Sequence, residues 1–181
     1  MFTFRKATIN DIDAIEASYQ EIHTQEENGI VTIGWVRDVY PTRLTALASL
    51  ERDDLFVIED EGDVVGAGII NKNQVPEYNL GKWKNNSSDD EVMVLHTLVI
   101  SPNKGRMGYG KGFVAFYEQY ALENNCPYLR IDTNARNVRA RAMYQKLGYE
   151  EIGIVPCDFN GIDGIQLVLL EKALDKNCKK S

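Results

Sequence analysis

Val94–Gly112, VLHTLVISPNKGRMGYGKG, is the stretch whose reading decides the fold. It begins as an apolar strand and turns at Ser101-Pro102. It then enters a loop carrying Gly105, Gly108, Gly110 and Gly112, and leaves as an amphipathic run from Phe113 to Leu122. A glycine-rich turn between a strand and a helix gathers backbone N–H groups that have no intrahelical partner. The helix dipole adds positive potential there, so the turn attracts phosphate. Glycine keeps a Cβ from standing between the phosphate and the backbone. The stretch therefore predicts a grip on a phosphorylated cofactor.

The neighbouring sequence extends this into one domain. Phe2–Lys6 reads as a strand, and Thr8 with Asp11 reads as the capped start of a helix carrying Ile12, Ile15 and Tyr19. A second helix follows Pro41-Thr42, with Leu44, Leu47 and Leu50 as its apolar positions. Leu55–Glu59 and Val64–Ile70 read as strands joined at Asp60-Glu61-Gly62-Asp63. Lys72–Asp90 is a long polar connection, a length that marks a functional or mobile loop. After it come a strand at Glu91–Ile100, the glycine loop and its helix, a strand at Tyr128–Thr133 and a helix at Asn137–Leu147 stopped by Gly148. Glu150–Val155 and Ile165–Leu170 complete the strands. The order β α α β β β α β α β β predicts one sheet with helices on both faces. Residues 1–174 form the domain and 175–181 a polar tail.

Composition excludes several classes. The chain has 181 residues, 44% hydrophobic and 26% charged, ordinary values for one globular domain. No apolar run is long enough to span a bilayer and no secretory h-region is visible, which points to a cytoplasmic protein without a membrane partner. A net charge of −7 argues against nucleic acid and mildly favours cationic small molecules. Cys126, Cys157 and Cys178 form no CxxC, and no metal-ligand spacing is present, so neither a disulfide scaffold nor a metal is expected.

Two familiar phosphate binders do not fit. Gly105–Lys111 satisfies seven positions of the P-loop pattern, but Gly112 stands where the Mg²⁺-binding hydroxyl belongs. Gly108-Tyr-Gly110-Lys-Gly112 has the wrong spacing for a dinucleotide fingerprint. The segment from Asp132 to Tyr149, DTNARNVRARAMYQKLGY, adds a helix on which Asn137, Ala140 and Tyr144 share one stripe. Together with the glycine loop it resembles the GNAT family of acetyl-CoA-dependent N-acetyltransferases. The likeness in motif covers Leu95–Tyr120 and Tyr128–Ile152; the first half agrees in element order.

That resemblance implies an α/β (α+β) GNAT fold: a mixed, mostly antiparallel sheet in which two parallel strands splay around acetyl-CoA. It places the pyrophosphate on the amides of Met107, Gly108, Tyr109, Gly110, Lys111 and Gly112, with Lys104 and Arg106 as flanking charge. The pantetheine arm would pair with backbone at Leu98, Val99 and Ile100, and Asn137 and Ala140 would line its path. One departure is Gly105, which stands where relatives usually carry Gln or Arg.

For the chemistry, the resemblance makes Tyr144 the general acid toward the leaving thiolate; the bare pattern fits a core tyrosine as well. Alternation places His96, Leu98 and Ile100 on one face, so His96 reads either as a base or as a satisfied strand histidine. Glu91 is the reserve base, acting through water. Trp35, Tyr40, Asn71, Tyr78, Trp83 and Asp132 are the candidates for the acceptor pocket. His23 reads as a surface residue, and Arg139 and Arg141 as solvated. The expected activity is acetyl transfer to the primary amine of a small molecule by direct attack. A peptide N-terminus or lysine as acceptor, or a non-catalytic acyl-CoA-binding module, are the alternatives. A homodimer is compatible with the resemblance.

Overall fold

The structure, a computed structural model, describes residues 1–85, 87–104 and 107–175. The chain runs β1 (Thr3–Lys6), α1 (Ile12–Glu27), α2 (Arg43–Glu51), β2 (Leu55–Asp60), β3 (Asp63–Asn71) and β4 (Val92–Ile100). It continues through α3 (Tyr109–Glu123), β5 (Tyr128–Asn134), α4 (Val138–Lys146), β6 (Glu150–Phe159) and β7 (Ile162–Ala173). The strands form one seven-stranded sheet in the order β1-β2-β3-β4-β5-β7-β6. Among the described residues only β4 and β5 pair in parallel; every other neighbouring pair is antiparallel. This is the mixed, mostly antiparallel sheet that the resemblance implies. The tail predicted from Asp175 lies, from 176 onward, outside the described residues.

Local chemistry sets the first elements. The Asp11 carboxylate accepts from the Thr8 amide at 2.7 Å and the Thr8 hydroxyl at 2.9 Å, closing the cap. Arg5 of β1 donates to the same carboxylate at 2.8 Å and, with the Thr8 donors, holds its pKa down at about 2. The cap thus also ties α1 to the edge strand. Glu61-Gly62 and Asn160-Gly161 both have positive φ, 53° and 87° in the first and 51° and 86° in the second. Such pairs suit the twist of a tight hairpin. The Asn-Gly turn lets β6 and β7 run past the predicted ends at Val155 and Ile165.

Two cores cover the sheet. α1 and α2 bury Ile12, Ile15, Tyr19 and Ala46 against Leu55, Val57, Ala67, Ile69 and Val99. α3 and α4 cover the other face with Phe113, Val114, Tyr117 and Tyr144 over Met93, Leu95, Leu129 and Ile131. The Tyr117 hydroxyl donates to Met93 O at 2.6 Å and also reaches Arg130 O at 3.2 Å, so α3 is fastened where β4 and β5 are still neighbours. A third cluster sets Tyr78, from the Lys72–Asp90 connection, against Val92, Val94, Leu167 and Leu169.

Three expectations are corrected. Leu44 is 74% exposed, because the inward side of α2 is set by Ala46 and Ser49. His23 is 1% exposed, and its Nε2 lies 3.0 Å from Pro41 O, so it belongs to the α1–α2 contact. Arg141 is not solvated: it pairs with Glu151 at 2.7 Å and donates to Ala135 O at 2.8 Å, joining α4 to β6. Among the described residues no helix is long and apolar enough to cross a membrane.

Candidate active site

The site begins where the parallel pair ends. β4 and β5 are in register from Val92↔Tyr128 to Leu95↔Ile131. Beyond that, β4 stays with β3 as far as Ile100↔Gly66, while β5 stays with β7 as far as Asn134↔Leu167. The strands part into a V, leaving the β5-facing edge of β4 from His96 to Ile100 without a strand neighbour. The cleft in this V is lined by Leu95, Thr97 and Leu98 from β4 and by Asp132, Thr133 and Asn134 from β5. α4 adds Asn137, Ala140 and Tyr144; the α1–α2 connection adds Ile33, Gly34, Trp35 and Tyr40; β7 adds Ile165 and Leu167.

A bulge fixes which β4 side chains enter. Thr97 has φ 49°, and the β3–β4 register slips between Ala67↔Val99 and Ile69↔His96. An extra residue reverses the alternation beyond it. Leu98 and Ile100 therefore share the α3 side with Leu95, while His96 falls on the opposite side, opposite Ile69. This corrects the reading that His96, Leu98 and Ile100 share a face. His96 Nε2 sits 3.1 Å from Asn71 Oδ1 and 3.0 Å from Asn73 O, and burial lowers its pKa. It is not among the cleft-lining residues.

At the α3 end of the V, Gly108 is the N-cap, with φ 83° and, among the described residues, open space where a Cβ would be. The backbone conformation requires glycine, and the space leaves room for a ligand at the amides of Tyr109, Gly110 and Lys111. Gly112 has a different reason. Its N–H donates to Gly108 O at 2.9 Å, and a Cβ on it would lie 2.7 Å from the Phe2 ring. Gly112 thus leaves the predicted phosphate cradle and becomes the contact between α3 and β1. Tyr109 also turns inward, donating to Asp60 at 2.6 Å, so only its backbone faces the loop. Lys104 pairs with Asp63 at 3.2 Å, and Met107 and Lys111 are exposed. Gly105 and Arg106 lie outside the described residues.

The acetyltransferase (GNAT) family model matches residues 13–149. The chain belongs to the GNAT family of acetyltransferases. A GNAT-family acetyltransferase from Streptococcus agalactiae shares the fold at TM-score 0.80 and 23% identity, over 97% of this chain and 96% of that one. A ribosomal-protein-alanine N-acetyltransferase from Brucella melitensis aligns at TM-score 0.68 and 22% identity, covering 95% and 99%. The yncA protein of Salmonella typhimurium, solved with its cofactor acetyl-CoA, aligns at TM-score 0.68 and 16% identity, covering 99% and 98%. A comparison with curated proteins finds no match.

Within this GNAT cleft, two titratable side chains stand out. Tyr144 is 5% exposed, and its hydroxyl has no hydrogen-bond partner among the described residues. Burial, and then the Asp132 charge, raise its pKa. Among the described residues Asp132 accepts one hydrogen bond, from the Tyr78 hydroxyl to Oδ2 at 2.9 Å. Burial raises its pKa, opposed by His96 and by that hydrogen bond. Trp35 and Tyr40 meet edge to face at 6.2 Å, and the Tyr40 hydroxyl hydrogen-bonds Thr97 at the bulge. Asn137 caps α4 through Ala140 N at 3.2 Å and reaches the Thr133 hydroxyl at 3.3 Å.

Of the acceptor candidates, Trp35, Tyr40 and Asp132 reach the cleft. Asn71, Tyr78 and Trp83 stand behind it: Asn71 donates to Asp54 at 2.8 Å, and the Trp83 indole donates to Tyr78 O at 2.8 Å. Glu91 is not brought to the cleft. It is the cap partner of Ser88 at the paired end of β4, about 20 Å of strand from Thr97. Cys157 is buried, and burial with Glu77 pushes its thiol up to about 12, which removes it as a nucleophile. Thr97, Thr133, Asn134, Ile33, Gly34, Ile165 and Leu167 line the cleft without having been foreseen.

Proposed function

We propose that this protein transfers an acetyl group from acetyl-CoA to the primary amine of a small molecule by direct attack. The observation that carries the reading is that the Tyr144 phenol, without a hydrogen-bond partner among the described residues, and the Asp132 carboxylate line the same V between β4 and β5.

The residues suit acetyl-CoA. The space at Gly108 and the first-turn amides of α3, which lack intrahelical partners, fit a pyrophosphate, with Lys104, Lys111 and Met107 around the loop. The unpaired β4 backbone at Leu98, Val99 and Ile100 offers strand-like hydrogen bonds to an extended amide chain, and Asn137 and Ala140 line the way to Tyr144. Bound there, acetyl-CoA supplies the acetyl group as a thioester, already activated toward an amine.

The protein's own part is proton management. A free alkylammonium has a pKa of about 10.4 and must lose a proton before it can attack. Asp132 pairs with the ammonium, and its raised pKa makes it a better proton acceptor than an ordinary aspartate. Tyr144 holds its proton at neutral pH and is the acid for the departing sulfur. The two groups are coupled. The Asp132 charge is one cause of the raised Tyr144 pKa, so a proton arriving on Asp132 makes Tyr144 a stronger acid at the moment it is needed. The nitrogen gives up its second proton to solvent as the amide forms, Asp132 releases the first, and the phenol is reprotonated from solvent.

A small acceptor suits the cleft better than a peptide. The α1–α2 connection is strapped across the acceptor end: Glu26 accepts from Ile33 N at 2.6 Å, Arg37 pairs with Glu27 at 2.7 Å, and the Thr32 hydroxyl donates to Arg136 O at 2.9 Å. The test is thiol release from acetyl-CoA across a panel of amines, with acetylated product identified by mass. Release above the amine-free background is expected. Background release with every amine, together with stabilisation by acetyl-CoA, would leave a binding module instead.

A further inference from the structure

The acetyl-transfer reading leaves the acceptor no narrower than a primary amine, and the acceptor end of the cleft narrows it. Resting on that reading, we infer that the acceptor is a monoamine with an apolar body and no acidic group. The argument begins with how Asp132 is held. Its Oδ2 takes the Tyr78 hydrogen bond at 2.9 Å, and Oδ1 has no protein partner among the described residues. Tyr78 is 3% exposed and cannot swing aside. Trp83 donates to its carbonyl at 2.8 Å and packs on its ring at 5.1 Å. The Arg130 guanidinium stacks over Trp83 at 3.9 Å, and Glu171 accepts from Lys84 N at 2.6 Å. The long Lys72–Asp90 connection is thus a brace that fixes one carboxylate from behind.

The rest of the acceptor end is apolar or neutral. Trp35 and Tyr40 present aromatic rings, and Ile33, Ile165 and Leu167 present aliphatic side chains. Among the described residues, no lysine, arginine or histidine lines the cleft. One ammonium therefore finds one fixed counter-charge, and an arriving cation offsets the burial that disfavours the charged carboxylate. Aromatic faces suit an ammonium and an apolar body alike. An acidic group on the acceptor would meet Asp132 or an aliphatic wall, with no cation to balance it. A second ammonium would have to be buried among Ile33, Ile165 and Leu167.

The experiment uses the full chain with saturating acetyl-CoA and measures kcat/KM from thiol release. The acceptors are 2-phenylethylamine and 3-methylbutylamine, their amino-acid counterparts phenylalanine and leucine, and spermidine. The two monoamines are expected to exceed the amino acids and spermidine by about tenfold or more. Equal or better rates with an amino acid or with spermidine would overturn the inference and leave acetyl transfer standing. Release with none of the five, despite stabilisation by acetyl-CoA, would overturn both. Asp132→Asn keeps an acceptor for Tyr78 and removes the charge. It is expected to raise KM for 2-phenylethylamine about tenfold or more while leaving the acetyl-CoA-induced rise in Tm intact. An unchanged KM would also overturn the inference.

Discussion

Along β4, Val92–Leu95 pairs with β5 and, from Val94 onward, with β3 as well, whereas His96–Ile100 has a strand neighbour on the β3 side only. The first stretch is core, with each of its four side chains at most 3% exposed. The second opens the V, and its two walls are made of different material. The wall proposed for the cofactor consists mainly of backbone: the free edge of β4 and the first turn of α3. The wall proposed for the acceptor consists of side chains gathered from the α1–α2 connection, β5 and β7, with Tyr78 bracing from the Lys72–Asp90 connection. Binding a constant group needs only a fixed backbone, whereas choosing an acceptor needs residues that several segments bring together.

Substitutions that strike one wall and spare the other test this division. Tyr144 stands between the walls, so Tyr144→Phe is expected to have the largest effect, a fall in kcat of about 100-fold or more. Its stabilisation by acetyl-CoA is expected to match the wild type in a melting experiment. Parallel loss of both would make Tyr144 structural, a packing partner of Tyr149.

Gly112→Ala drives a Cβ into the Phe2 ring, and overpacking of this kind costs about 1–3 kcal/mol. Denaturant titration measures it, and acetyl-CoA affinity is expected to change little, because the Gly112 amide is already bonded within the helix. Gly108→Ala is the complement: no described residue crowds its Cβ, but φ 83° costs about 1–2 kcal/mol and the side chain enters the proposed phosphate approach. Here acetyl-CoA affinity should fall with stability. If the two alanines behaved alike toward acetyl-CoA, the backbone account of the cofactor wall would be wrong.

The smallest effect concerns pH. The Tyr78 hydrogen bond lowers the Asp132 pKa, so Tyr78→Phe raises it. Activity needs ionised Asp132, and the acidic limb of kcat/KM therefore moves to higher pH. The other groups facing Asp132 stay in place: His96 of β4, which lowers its pKa; Glu77, which raises it; and Tyr40, Tyr144 and Cys157, whose own pKa values the Asp132 charge raises. An unmoved limb would separate Tyr78 from the chemistry and leave it as a wedge under the sheet.

The two walls also differ in how far they can be read from residues alone. The cofactor wall is local in sequence: strand, glycine turn, helix, strand and capped helix follow one another, and Asn137, Ala140 and Tyr144 emerge from helical spacing. The acceptor wall is not local. Trp35, Tyr40 and Asp132 are found among six aromatic and polar candidates, while Asn71, Tyr78 and Trp83 end one layer behind, because burial order depends on how the long connection packs. Ile33, Ile165 and Leu167 look like any core aliphatic until the strap and the β6–β7 hairpin are in place. The Asn160-Gly161 turn could have lengthened that hairpin in advance. The bulge at Thr97 could not have been foreseen, since a β-branched residue at positive φ carries no sequence signal. It is why His96 falls on the wrong side of the strand for a base in the cleft.

The measurement closest to the central claim is the Tm of the full chain with saturating acetyl-CoA, set against ATP with Mg²⁺. A ligand at about 100 times its Kd adds about 2.7 kcal/mol to the native state. For a domain of this size that is a rise of about 5–10 °C with acetyl-CoA and none with ATP. No rise with acetyl-CoA would contradict the reading of the V and the α3 N-terminus as its binding site, and the roles given to Tyr144 and Asp132 would fall with it.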